Sequence, residues 1–440
     1  MKTDFAIFFS PATPHYVMEK KILKEPLTTF HMNLRLTAIL ITCMLAAQAV
    51  ALDWSNWRGP DRNNISPETN WTEKWPDAGP REIWRADVQL GFGSMVVSEK
   101  RIFTLGHDGE KTVTLYCLDA ISGKTKWKHS WQSDLGDKYF EGGPVSTPTV
   151  DERRVYVLGR WGSILCLHAE KGEIIWQRDL VKEEGVRVPT WGFAGATVID
   201  GDTLFLNVGE AGMALSKVTG KTLWSSARRA AGYSTPMLFK AEGKDYVLFS
   251  SGKEYTAVER ATGKPWWSYR WLTRYGVNAA DPIVTDDGHA FISSGYGKGS
   301  AYIKMYREDP ETLWKNRDFR NQMCTSLLID GHLYGVDGDT GKNAANLKCV
   351  TLKTGKVQWT HKDFGSGNLI ASNGKLICLS GKGELIIAPI SKTSFKPTAR
   401  AQVLQGKCWN PHVLANGYLY CRNADGDLIC LDLRKEDETP

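Results

Sequence analysis

Ser122-Gly-Lys-Thr-Lys-Trp127 returns as Thr219-Gly-Lys-Thr-Leu-Trp224 and again as Thr354-Gly-Lys-Val-Gln-Trp359. Looser copies stand at Gly172/Trp176 and Gly263/Trp267, with a degenerate one at Asp309-Pro-Glu-Thr-Leu-Trp314. Successive tryptophans are 49, 48, 43, 47 and 45 residues apart. That is the interval at which one four-stranded blade follows another around a propeller.

The unit between Glu141 and Leu180 shows how one copy is built. Ser146–Val150, Val155–Leu158, Ile164–Leu167 and Glu173–Trp176 read as four short strands, separated by polar and glycine turns, the pattern of an antiparallel meander. Glycine suits the third turn because it reaches positive φ without strain. Tryptophan on the fourth strand reads as a packing residue, a flat ring covering the gap to a neighbouring blade.

Blades begin near Gly91, Gly142, Trp191, Gly232, Asn278, Gln322, Gly367 and Cys408, which gives eight. The seventh, Gly367 to Gly406, has no glycine–tryptophan pair, so seven is the alternative count. The last unit stops after Leu428–Asp432. Glu82-Ile-Trp-Arg85 is the expected donor of its missing strand, because Trp84 lies 43 residues before Trp127, in register with the repeat. An N-terminal strand closing the last blade removes the open edges of the array. The expectation is an all-β, eight-bladed propeller of four-stranded antiparallel blades over residues 81–434. Residues 52–80 are a lead-in and 435–440 a short tail.

Residues 33–51 combine one basic residue, an apolar run and the small-residue ending Ala49-Val-Ala51, as secretory signal peptides do. The run Leu36–Ala47 is short for a membrane span. Residues 1–51 are therefore read as an upstream extension plus signal peptide, the true start being Met1 or Met32. The mature chain, periplasmic or secreted, has 50 Lys/Arg against 46 Asp/Glu, a net +4 without a basic run, which argues against nucleic acid. Eight cysteines remain after Ala51, most within apolar strand runs such as Leu-Ile-Cys-Leu. They read as packed thiols, with Cys408–Cys421 as the candidate bridge. No spacing suggests zinc.

The glycine–tryptophan endings, each preceded by a Leu-x-Cys/Ala-Leu-Asp type of strand, resemble the repeats of the pyrroloquinoline quinone (PQQ)-like β-propeller family. Trp54-Ser-Asn-Trp-Arg-Gly-Pro60 and Gly417-Tyr-Leu-Tyr-Cys-Arg-Asn423 resemble the opening and ending of its exported bacterial branch. The quinoprotein dehydrogenases of that family would imply PQQ on the axis, a calcium ion and a catalytic aspartate. This chain lacks their adjacent cysteine pair and a haem-attachment site. A non-catalytic relative, the outer-membrane-protein assembly propeller, is a lipoprotein. Here Leu40-Ile-Thr-Cys43 has threonine where a lipobox takes Gly, Ala or Ser.

The preferred reading is an exported, non-catalytic, monomeric scaffold that binds a protein, peptide or polysaccharide and has no transmembrane segment. The alternative is a PQQ- and calcium-dependent oxidoreductase. Loops before the first strand and between strands two and three share one face of a propeller. There Arg160, Trp161, Trp191, Glu210, Asn278, Asp281 and Arg422 are the candidate ligand contacts. Carboxylate and amide oxygens could hold calcium, arginines could pair with acidic groups, and indoles could stack on a planar ring. No catalytic constellation is legible and no metal ligand set is assigned.

Overall fold

The computed structural model describes residues 52–305, 309–340 and 344–435. The signal-peptide reading, the Cys43 motif and the tail beyond Lys435 lie outside them. The chain divides after Val50, and the unit from Ala51 onward is the propeller.

Eight sheets, each with four antiparallel strands in meander order, form the blades. Blade 1 comprises Val96–Ser98, Arg101–His107, Thr112–Asp119 and Thr125–Gln132. Blades 2 to 7 repeat the plan, from Thr149–Asp151 at the axis of blade 2 to Ala399–Gln402 at the rim of blade 7. Blade 8 takes Val413–Ala415, Tyr418–Arg422 and Asp427–Asp432 from the C-terminal end and Arg81–Asp87 from the N-terminal end. The closing strand is thus where the spacing of Trp84 puts it. Blade 7 is complete, so the seven-blade count is discarded. It even gains a fifth strand, Ile65–Ser66, which pairs in parallel with Asn368–Ser372.

Burial follows from the stacking. Second and third strands are apolar and buried along most of their length, as in Arg154–Leu158 and Ser163–His168, because a neighbour covers each face. Outermost strands alternate, with every second residue of Thr125–Gln132 exposed.

The glycine–tryptophan motif joins blades rather than closing one turn. The Trp127 ring of blade 1 lies over Gly172 of blade 2, where a Cβ would come within 2.6 Å of it. Its indole N–H donates to the Ala169 carbonyl at 3.1 Å. Trp84 repeats this on Gly123 and Ala120, Trp176 on Gly220 and Lys217, Trp224 on Gly263 and Arg260, and Trp314 on Gly355 and Leu352. Positive φ, 74° at Gly172, is one reason for glycine; the neighbour's indole is the second. A register shift immediately precedes the tryptophan in blades 1 to 6 and 8, a bulge that re-aims the strand there. Where blade 5 lacks the glycine, Trp267 of blade 4 has no such bond among the described residues.

All eight cysteines of the propeller are free thiols, so the Cys408–Cys421 bridge is not formed. Both side chains are fully buried in blade 8 and its approach loop. Burial pushes the Cys408 thiol up to about 12 and that of Cys421 well above its usual range, so neither is poised as a thiolate for exchange.

Candidate functional site

The lead-in builds the floor of the site. Trp54 pairs with Val97 of blade 1 through both backbone bonds, at 2.8 and 3.0 Å, and Ser55 accepts from Val150 N of blade 2 at 2.9 Å. The segment then crosses the axis. Trp57 Nε1 donates to Asp281 Oδ2 of blade 5 at 2.7 Å, and Arg58 donates to the Ser326 carbonyl of blade 6 at 3.2 Å. Arg62 returns to the Ile199 carbonyl of blade 3, Ile65–Ser66 joins blade 7, and Glu68 accepts from Asn416 and Gly417 N–H of blade 8. Arg58, Arg62 and Asn64 hold φ of 66°, 54° and 63°, a left-handed backbone that non-glycine residues adopt at a cost.

Asp281 anchors this plug. Its Oδ1 accepts from Thr235 N at 2.7 Å, and Arg58 Nη1 stands 3.8 Å from Oδ2, both side chains being almost fully buried. Burial pushes the Asp281 carboxyl upward, and the Arg58 charge and the two N–H donors oppose that shift.

Above this floor opens a cavity of about 1200 Å³, with Trp57 and Asp281 among its lining residues. Aromatic side chains from the inter-blade loops make its wall. On one side Phe92 contacts Phe140 and Trp409, with ring centroids 5.3 and 5.6 Å apart. On another Trp191 lies between Tyr139 at 5.5 Å and Tyr233 at 5.9 Å. Tyr296 and Gln322 continue the wall, and an ion pair between Lys407 and Glu141 ties the loop before blade 8 to that before blade 2.

Of the residues singled out in the sequence, Trp191 and Asp281 line this cavity. Arg160 and Trp161 instead hold the loop that carries Tyr139 and Phe140. Arg160, 5% exposed, donates to the carbonyls of Leu135, Gly136, Gly143 and Trp191 and packs its guanidinium 4.7 Å from the Phe140 ring. Desolvation brings its pKa down to about 10. Trp161 Nε1 donates to the Asp134 carbonyl. Asn278 is buried with its amide bonded to Ser251, Trp271 and Ser294. Arg422 is buried where blade 8 meets blade 1, on Thr104 and the Leu105 and Gln89 carbonyls. Glu210 pairs with Arg229, outside the cavity. Tyr139, Phe140, Trp409 and Trp57 went unrecognised as site residues, though the aromatic Tyr139-Phe140 pair in a long inter-blade stretch was a readable signal.

The quinone reading requires oxygen ligands converging on a cation beside a planar ring. Among the lining carboxylates only Asp281 is buried, and its oxygens are taken up by Trp57, Thr235 and the Arg58 charge. The described residues contain no group of three or more His, Cys, Asp or Glu placed to hold a metal. These residues do not fit a PQQ–calcium pair.

The site is a concave, aromatic-walled cavity on one face of an eight-bladed propeller, the class of protein that the fold defines. Residues 111–361, more than half of the chain, match the family described as outer membrane protein assembly factor BamB, and the chain belongs to that family. The assembly factor BamB of Moranella endobia is 22% identical over 72% of this chain and 85% of its own length. Among solved structures, BamB from Moraxella catarrhalis matches with a TM-score of 0.58 at 16% identity, covering 81% of this chain and 99% of that one. Quinohemoprotein alcohol dehydrogenase from Comamonas testosteroni matches with a TM-score of 0.65 at 12% identity, over 88% and 82% respectively. At those identities the structures show a shared fold.

Proposed function

We propose that this chain is an exported, periplasmic, monomeric scaffold that holds a protein partner at the aromatic cavity and serves outer-membrane protein assembly, as its relatives are named to do. The observation that carries the reading is the wall of Tyr139, Trp191, Tyr233 and Trp409 above a floor committed to structure. Aromatic side chains supply large contact area at low entropic cost, which is why they dominate protein-binding hot spots. One chain builds the whole cavity, so no second copy is needed.

The test is complementation of a strain lacking the chain, with the amount of folded outer-membrane proteins as readout. Wild type restores it, and Tyr139→Ala combined with Trp191→Ala does not, although the variant reaches the periplasm at normal level. Full restoration by that variant would sink the proposal.

A further inference from the structure

Four cations, none of them lining the cavity, gather on the loops and outer strands of blades 4 and 5. Lys298 Nζ lies 4.5 Å and Lys315 Nζ 5.0 Å from the centroid of one buried ring, that of Trp271. Trp271 is fixed from below by its indole bond to Ser294 Oγ at 3.0 Å. The two ammoniums are thereby held close together on a rigid platform. Arg270 precedes Trp271 at the end of one outer strand, and Arg317 follows Asn316 at the end of the next.

None of these four makes an ion pair among the described residues. Glu254, opposite Arg270 in the ladder, and Asp318, beside Arg317, are likewise outside the ion pairs. Partial burial, then repulsion from Lys315, Arg270 and Arg317, holds Lys298 below the usual lysine range. Lys298 thus feels the like charges around it, and the nearby carboxylates of Glu254 and Asp318 leave the group with an excess of positive charge. Beside them Leu272 and Tyr275 are 47% and 51% exposed, and Tyr275 packs edge-on against Tyr296 at 4.9 Å.

We infer that Arg270, Lys298, Lys315 and Arg317 form a docking patch for the phosphate headgroups of an anionic lipid surface, with Leu272 and Tyr275 entering its interface. Cations in excess over their neighbouring carboxylates, next to exposed apolar and aromatic side chains, are the combination a charged bilayer surface recognises. A free phosphate would use the cations and leave Leu272 and Tyr275 without a role. Tyr275 touches the cavity wall at Tyr296, but none of the four cations lines the cavity, so loss of lipid binding on their removal would leave the protein-binding reading untouched.

The purified protein is sedimented with vesicles of phosphatidylcholine alone and of phosphatidylcholine mixed with phosphatidylglycerol. Binding is expected on the mixed vesicles, weakening as salt rises. The double variant Lys298→Met, Lys315→Met keeps methylene cover over Trp271 and should lose about fivefold in affinity per cation removed. Lys353→Met with Lys356→Met, the same charge change at a turn of blade 6, should bind as wild type. Equal binding to both vesicle types, or equal loss in the two double variants, would overturn the patch. So would a protein that ignores the vesicles yet gives saturable heat with inorganic phosphate, which would assign the cations to a soluble anion.

Discussion

The rim and the axis of this propeller are held together by different means. At the rim the same device recurs from blade to blade: an indole laid over a neighbour's glycine, its N–H on the carbonyl three residues earlier. At the axis nothing repeats. One lead-in segment is secured there by single contacts, chief among them Trp57 and Arg58 on Asp281. A repeated device distributes stability around the ring, so that one blade can do without it, as blade 7 does. A unique anchor concentrates stability, and with it the shape of the cavity floor.

That contrast can be broken at either end. Asp281→Asn leaves the buried Arg58 guanidinium without a counter-charge, which should cost about 3–5 kcal/mol. Because the damage is local, limited trypsin digestion should cut at Arg58 and Arg62 before the ring melts. Global melting without early cleavage would show that plug and ring are one unit. Gly172→Val puts a branched side chain at φ 74° against the Trp127 ring and should cost about 3 kcal/mol, read as a lower melting temperature with no early cleavage.

A third test uses pH. His412 is fully buried, with Nε2 3.0 Å from the Ile377 carbonyl, to which it donates, and with Nδ1 unpartnered among the described residues. Burial pushes its pKa down to about 4. The unfolded chain takes up the proton near the ordinary histidine value and the folded chain resists it. Stability is therefore full above about pH 6.5 and is lost as pH falls toward 4, by about 3 kcal/mol. His412→Phe should flatten that part of a denaturation-against-pH curve; an unchanged slope would assign it to other groups. The smallest effect belongs to the rim: Trp127→Phe keeps an aromatic ring there but deletes the bond to Ala169 and part of the indole's cover on Gly172, and should cost about 1–2 kcal/mol.

How legible each region is follows the same division. The strands, the blade count and the closing role of Trp84 can be read because a repeat exposes its own period. Even there, a glycine explained by its turn proves also to seat the preceding blade's indole, a contact that no single unit contains. The axis is illegible for the opposite reason. Trp57 meets Asp281 across 224 residues of sequence, and nothing local to either position predicts the meeting. Asn278, Arg160 and Arg422 sit where ligand-binding residues of a propeller can sit. Their N–H groups are used instead on loop carbonyls, a need that depends on how loops pack and leaves no mark in the flanking residues. Tyr139 and Trp409 escape notice because aromatic side chains are everywhere in this chain, mostly as girdle.

The central claim, that the partner binds at the aromatic cavity and not on the blade edges, is tested most directly by site-specific photocrosslinking in the periplasm. A photoreactive residue is placed at Tyr139, 57% exposed on the cavity wall, and in a second variant at Leu223, 55% exposed on the rim of blade 3. A discrete adduct with an outer-membrane assembly protein at 139 and none at 223 is the predicted result. The same adduct at 223 with none at 139 would contradict the account and move the binding surface to the blade edges.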